Sequence, residues 1–373
     1  MPAGELSTAA QQVVEICRAL SGDAEIILMD EPTSSLHRDD VKRLFDLIHK
    51  LRNDGITIIY ISHFLEEIRE IADSYTVIRD GKDVSTGSIA NVTDDSLISQ
   101  MIGRSVENLF PKRQTKTEEG ETVLRVQNLS APPRLLHADF ALRRGEILGI
   151  AGLVGAGRSD LVRALFGLTS VESGTVSIHG KELSARRGYP ALRLEQGFGY
   201  MSEDRKSEGL ALPLSLADNI TVTRFSSCSR FGWLNRSKQQ HQAERMIETV
   251  GVRSQGAMQS VSALSGGNQQ KVLMARLIHQ DADILLLDEP TRGIDIGSKS
   301  KIYETIIELA AKGKAVLMVS SYLPELFGLC DSLAVMARGR LSPARPISEW
   351  TPELVLQNAI GSGSNSFDES NGH

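Results

Sequence analysis

Three short segments hold residues suited to phosphate chemistry. The first, Gly152-Leu-Val-Gly-Ala-Gly-Arg-Ser159, follows an apolar run and leads into a helix-forming one. Gly152, Gly155 and Gly157 let backbone amides turn inward around Ala156, and a helix N-terminus favours an anion. Arg158 supplies positive charge, although its planar guanidinium does not replace a compact ammonium. Ser159 offers a hydroxyl suited to Mg2+. The second segment, Ile284-Leu-Leu-Leu-Asp-Glu289, is an apolar strand ending in two carboxylates. Asp288 is placed to orient Mg2+ through water and Glu289 to polarise an attacking water. The third, Leu264-Ser-Gly-Gly-Asn-Gln-Gln270, sets Ser265, Gly266 and Gly267 at a helix start, which makes a second anion-binding end. By itself the glycine loop is equally a tight strand-to-helix turn; the carboxylate pair downstream argues against that.

The elements that must position these groups follow from periodicity. Residues 123–126 and 147–150 are expected to be strands, and 159–166 a helix entered from the glycine turn. Residues 237–250 have helical propensity and form a helical insertion. The apolar runs 284–287 and 316–319 flank a helical segment at 300–311, a βαβ arrangement that predicts a parallel sheet.

The chain also repeats itself. Leu6–Ser7, Asp30–Glu31–Pro32–Thr33 and Ser62–His63 recur as Leu264–Ser265, Asp288–Glu289–Pro290–Thr291 and Ser320–Ser321, at a constant offset of 258 residues (264 − 6, 288 − 30, 320 − 62). Asp73 and Asp331, and Gly81 and Gly339, keep that offset. Two copies of one folded unit are expected. Projecting the glycine loop back by the same offset places it ahead of Met1, so the first copy is expected to be incomplete and N-terminally truncated. The expected division is the C-terminal part of a first unit at 1–103, a polar linker at 104–120, a complete second unit at 121–350 and a disordered tail at 361–373.

Composition excludes several classes. The 373 residues exceed what one core usually serves, and 41% hydrophobic with 24% charged residues describes an ordinary globular protein. A formal net charge of −6 gives no electrostatic case for nucleic acid. No apolar run has the length of a membrane span, and the first residues do not read as a signal peptide. Cys17, Cys228 and Cys330 show no metal-ligand spacing and are expected to be buried small hydrophobes.

Together these motifs resemble the ATP-binding cassette ATPases, an α/β P-loop nucleotide hydrolase fold with a mostly parallel sheet core and a helical insertion. Met201-Ser-Glu-Asp-Arg-Lys206 and Val319-Ser-Ser-Tyr-Leu-Pro-Glu325 resemble more narrowly the second half of the tandem ATPase subunits of bacterial ribose, galactose and xylose importers. The resemblance covers residues 1–350 and implies ATP and Mg2+ as ligands. It implies ATP contacts at Gly152, Gly155, Ala156, Gly157, Arg158, Ser159, Asp160, Glu203 and Ser321, with Glu203 standing where a coupling-loop glutamine usually stands. Asp295 falls in the loop after the second carboxylate pair. Signature positions are Leu6, Ser7 and Thr8 in one copy and Leu264, Ser265, Gly266, Gly267, Asn268 and Gln269 in the other. Metal-orienting groups are Ser159, Asp288 and Asp30. Glu31, His63 and Glu289 are the implied catalytic residues, His63 as a γ-phosphate contact whose counterpart is Ser321. An adenine-stacking aromatic cannot be placed, because none occurs between Ala131 and His137.

The resemblance further implies cassettes packed head to tail, each nucleotide lying between one phosphate loop and the other signature helix. One such site lacks its phosphate loop. The other has arginine for lysine at 158, serine for histidine at 321, and Thr8–Ala9 for a glycine pair. The expected function is an ATP-binding and hydrolysing subunit that energises sugar import. Its expected partners are transmembrane permease subunits, indirectly a periplasmic sugar-binding protein, and a second cassette. Its expected place is the cytoplasmic face of the membrane in a bacterium. A non-catalytic nucleotide-binding regulatory module is the alternative. A tandem cassette acting on ribosomes or DNA is disfavoured by the short linker and the acidic charge.

Overall fold

A computed structural model of the chain describes residues 2, 6, 8–22, 24–33, 36, 38–62, 64–79, 81–102, 110, 120–183 and 188–361. The chain divides into two compact units, Met1–Leu109 with Asp295–Gly297, and Phe110–Ile294 with Ser298–His373.

The first unit runs α1 (Thr8–Leu20), β1 (Ile26–Asp30), α2 (Arg38–Asn53), β2 (Thr57–Ile61), α3 (Leu65–Ile71), β3 (Ser74–Arg79), β4 (Lys82–Ser88) and α4 (Asp94–Ile102). β1 and β2 pair in parallel from Ile26↔Thr57 to Asp30↔Ile61, whereas β3 and β4 form an antiparallel hairpin. Ile27, Met29, Leu44, Phe45 and Ile48 form its core. The opposite face of the parallel pair is open: Ile26 is 61% exposed, Leu28 62%, Ile59 48% and Ile61 45%.

The second unit runs β5 (Thr122–Ala131), β6 (Leu135–Arg143), β7 (Ile147–Gly152), α5 (Arg158–Phe166), β8 (Ser173–Ile178), β9 (Lys181–Leu183), α6 (Pro190–Glu195) and β10 (Phe198–Met201). After β10 come α7 (Leu216–Thr221), β11 (Ser229–Arg230), β12 (Trp233–Leu234), α8 (Arg236–Val250) and α9 (Gly266–Gln280). It closes with β13 (Ile284–Asp288), α10 (Ile296–Ala311), β14 (Ala315–Val319), α11 (Leu323–Leu329), β15 (Ser332–Ala337), β16 (Arg340–Leu341), β17 (Arg345–Pro346) and α12 (Pro352–Ile360). β10, β13, β14, β7 and β15 are parallel neighbours in that order, and β5, β6, β8 and β9 add an antiparallel part to the same sheet. β13 and β14 are buried along their whole length, which is why their residues read as unbroken apolar runs rather than as alternation. Helices α7, α8 and α9 pack on one another as the helical insertion.

The repeat holds in backbone detail. Glu31 and Glu289 both leave their strands with a left-handed backbone, at φ 44° and 47°. Their amides bond to the carbonyls of Ile61 and Val319, at 2.8 and 2.9 Å. Gln11 donates its amide to the Leu6 carbonyl at 2.9 Å, as Gln269 does to Leu264 at 3.2 Å.

Some expectations need correction. Cys17 is exposed on α1, whereas Cys228 and Cys330 are buried. The helix expected at 300–311 begins at Ile296, and α12, which packs on β15 and β7, lies beyond residue 350. Within the stretch read as a linker, residues 104–109 and 111–119 lie outside the described residues, but the Phe110 ring stacks on Tyr303 with centroids 5.2 Å apart. In the tail only Gly361, the left-handed cap of α12, is described.

Candidate nucleotide-binding site

Strand β7 enters the glycine loop and α5 leaves it, so the amides of the first turn of α5 have no intrahelical partner and suit an anion. Glycine is required at both ends of the loop. A Cβ on Gly152 would sit on the Met336 carbonyl, and one on Gly157, at φ 104°, would lie 2.5 Å from the Arg134 carbonyl. The turn carrying Arg134 is therefore packed directly against the loop. Gly339, repeat partner of Gly81, closes the other side by donating its amide to Ala156 at 2.8 Å.

The carboxylate pair is brought to this loop. Ser159 donates its hydroxyl to Asp288 Oδ1 at 3.1 Å, and Arg158 Nη2 lies 3.3 Å from Glu289 Oε1. Ser321 donates to the other oxygen of Glu289 at 3.1 Å. Asp288 is 2% exposed, and burial, reinforced by the neighbouring Glu289, pushes its carboxyl up to about 6. Burial also raises Glu289, against the pull of Arg158 and Ser321. Arg158 is buried and its Nη1 has no hydrogen-bond partner.

An unpartnered guanidinium nitrogen and a buried carboxyl beside the loop fit a phosphate with a divalent cation. Nη1 is the unpartnered nitrogen, since Nη2 pairs with Glu289, and Ser159 and Asp288 are the groups that would hold Mg2+. Among the described residues no group of three His, Cys, Asp or Glu could hold a metal alone. Mg2+ generally takes one or two protein ligands and completes its shell with waters and substrate phosphates.

The remaining expected residues are placed as follows. Asp160 lies in the first turn of α5, where an acidic side chain suits the helix dipole. Glu203 forms an ion pair with Arg292, and Arg205 Nη1 donates to the Arg292 carbonyl at 3.1 Å, so the 203–205 segment grips the turn that follows Glu289. Ser265 caps α9 and is exposed; Asn268 donates to its hydroxyl at 3.0 Å and accepts from the Arg253 amide at 2.9 Å. A side chain on Gly266 would meet Arg205 Nη2 at 2.8 Å, and Gly267 is buried. Among the described residues no hydrogen bond or ion pair joins Leu264, Ser265, Gly266, Gly267, Asn268 or Gln269 to the glycine loop. In the first unit Asp30 and Glu31 are exposed at the end of β1, Leu6 is half-buried and Thr8 opens α1. Ser7 and His63 lie outside the described residues.

Sequence reasoning missed two groups. Arg163, on α5, binds both oxygens of Glu208 at 2.7 Å and ties the helix after the loop to the segment after Glu203. Glu325, beyond Ser321, is 1% exposed and bonds to Thr291 and Ser320. Its signal was present in the repeat: Glu67, Thr33 and Ser62 stand at the same offset.

The ABC transporter family model matches residues 135–292. A putative ribose/galactose/methyl galactoside import ATP-binding protein of Agrobacterium fabrum is 42% identical over 359 residues, covering 96% of this chain and 70% of its own length. The chain belongs to the ATP-binding cassette ATPases. A ribose import ATP-binding protein of Rubrobacter xylanophilus is 44% identical over 356 residues, covering 95% of this chain and 71% of that protein. Among solved structures, a nucleotide-free ATP-binding cassette from an ABC transporter aligns with a TM-score of 0.55 at 20% identity. It covers 63% of this chain and 97% of the cassette, a likeness of fold. No helix among the described residues is long and apolar enough to cross a membrane.

Proposed function

We propose that the second unit binds Mg-ATP at loop 152–159, hydrolyses it through Glu289, and energises sugar import through transmembrane permease subunits at the cytoplasmic face of a membrane. The observation that carries the binding site is the Ser159–Asp288 hydrogen bond, which joins the phosphate loop to the strand-end carboxylate. Ser159 and Asp288 would hold Mg2+, which neutralises charge on the phosphate oxygens. Arg158 and the first amides of α5 take the phosphates, Arg158 turning from Glu289 to the nucleotide. Glu289, freed of that partner, orients and polarises the attacking water, while Ser321 holds its carboxylate in place. Ser265 and the amides of α9 are the second anion-binding end, offered to the nucleotide of a facing cassette, including one on a second copy of the chain. Asp30 and Glu31, with the same strand-end backbone, are read as the metal-orienting and water-polarising carboxylates of the first unit. The sugar-import role is supported by the names of the relatives above, and a periplasmic sugar-binding protein is the partner expected upstream of the permease.

A non-catalytic, regulatory reading draws support from the Arg158–Glu289 pair, which engages the two groups with each other. Calorimetric titration with ATP, with and without Mg2+, tests the site. Binding should require Mg2+ for full affinity and weaken about tenfold or more in Arg158→Ala, the scale of a charge-assisted phosphate contact. Affinity unchanged by Arg158→Ala, by Ser159→Ala and by Mg2+ removal would place the nucleotide elsewhere.

A further inference from the structure

Glu289 leaves its strand with a left-handed backbone, a conformation that a non-glycine residue holds only where its surroundings over-determine it. Two residues on, Thr291 is buried and donates its hydroxyl to Glu325 Oε1 at 2.6 Å. The other oxygen of Glu325 accepts from Ser320 at 2.6 Å, and the Ser320 hydroxyl in turn accepts the Tyr322 amide at 3.1 Å. The buried Tyr303 phenol approaches the same carboxyl without a hydrogen bond of ordinary geometry. One carboxyl thus joins the turn that begins with Glu289 to the loop that carries Ser321.

The first unit builds the same cluster from different parts. Ser62 donates to Glu67 at 2.8 Å and accepts the Phe64 amide at 3.0 Å, as Ser320 does. The phenol here comes from Tyr60 on β2, at 2.8 Å from Glu67 and beside Thr33. In the second unit the position of Tyr60 is Met318, and the phenol comes from Tyr303, at the position of Phe45. The phenol has moved from strand to helix, yet the serine-to-carboxyl bond stays; Thr33 is buried without a hydrogen-bond partner, so the threonine bond is particular to the second unit. The shared serine-to-carboxyl bond argues for a requirement on the carboxyl, not on any one packing solution.

We propose that Glu325 is a positioning residue for hydrolysis: it clamps the 289–291 turn to the 320–322 loop and so fixes Glu289 and Ser321 against the γ-phosphate. The role rests on reading Glu289 as the water-polarising carboxylate. Burial holds the Glu325 carboxyl above its ordinary range, against the hydrogen bonds from Ser320 and Thr291, which suits a structural clasp rather than a solvent-facing acid.

Single-turnover hydrolysis of radiolabelled ATP by the full chain, with nucleotide affinity and unfolding midpoint measured in parallel, tests this. Thr291→Val keeps the buried shape and removes only the hydroxyl; Glu325→Leu removes the whole clasp. Both should lose about 10–100-fold in rate, the scale of a misplacement of order 1 Å, with ATP affinity within about threefold of wild type. Glu325→Gln should recover most of the rate lost in Glu325→Leu, since its amide can still engage both hydroxyls. If Glu325→Leu fails to fold, Thr291→Val decides. A folded Thr291→Val with the wild-type rate, or one whose loss lies entirely in affinity, overturns the proposal while Glu289→Gln still abolishes turnover. A wild-type rate equal to that of Glu289→Gln overturns instead the hydrolysis reading on which it rests.

Discussion

Arg158 and Glu289 pair across 3.3 Å in the buried site, and the proposed mechanism requires a phosphate to draw Arg158 away from the carboxylate. The residue types and their order were legible in the sequence, but this pairing was not. It depends on β13 ending beside the loop after β7, with β14 between the two strands. Asp288 bears the clearest cost. Its buried carboxyl, raised to about 6, holds a proton between about pH 4 and 6 that the unfolded chain has already released. The stability linked to that proton is present at low pH and is lost as pH rises through about 6. Asp288→Asn should therefore stabilise the nucleotide-free protein at pH 8 on the order of 2 kcal/mol, with the gain closing toward pH 4. Denaturant titrations across that range check it; a gain that does not vary with pH would assign the effect to packing.

Among the elements, the glycine loop tolerates little change. Gly157→Ala places a Cβ 2.5 Å from the Arg134 carbonyl at a φ of 104°, and should cost about 1–3 kcal/mol in stability together with nucleotide affinity. Chemical denaturation beside ATP titration measures both, and an alanine variant equal to wild type in each would contradict the loop geometry. The parallel pairs make a second contrast. β13 and β14 are buried on both faces, whereas Ile26, Leu28, Ile59 and Ile61 of β1 and β2 remain open to solvent. Amides of β1 and β2 should exchange with deuterium at least about tenfold faster than those of β13 and β14; equal protection would show that burial does not set the local stability here. Parallel pairing was readable because unbroken apolar runs mark buried strands. The start of α10 was not, since Gly297, Ser298 and Ser300 carry little helical signal. The Phe110–Tyr303 stack was equally hidden, because it joins residues far apart in the chain.

For the whole molecule, the constant 258-residue offset proved the most informative feature of the sequence, reappearing in backbone angles, in amide bonds and in the Glu67 and Glu325 clusters. What the offset could not convey is the change of phenol from Tyr60 to Tyr303, since only packing shows that a strand residue bonds the carboxyl in one unit and a helix residue lies beside it in the other. The central claim is hydrolysis at loop 152–159 through Glu289, with the γ-phosphate side completed by a facing signature helix. Serine at 321 provides no imidazole, and losing one such donor commonly costs on the order of 10²–10³ in rate. Steady-state ATP hydrolysis by the 373-residue chain over a protein-concentration series, beside Glu289→Gln, tests this most directly. The account predicts slow turnover that is abolished by Glu289→Gln and whose specific activity rises with concentration as copies pair. Rapid turnover, independent of concentration and indifferent to Glu289→Gln, would contradict it.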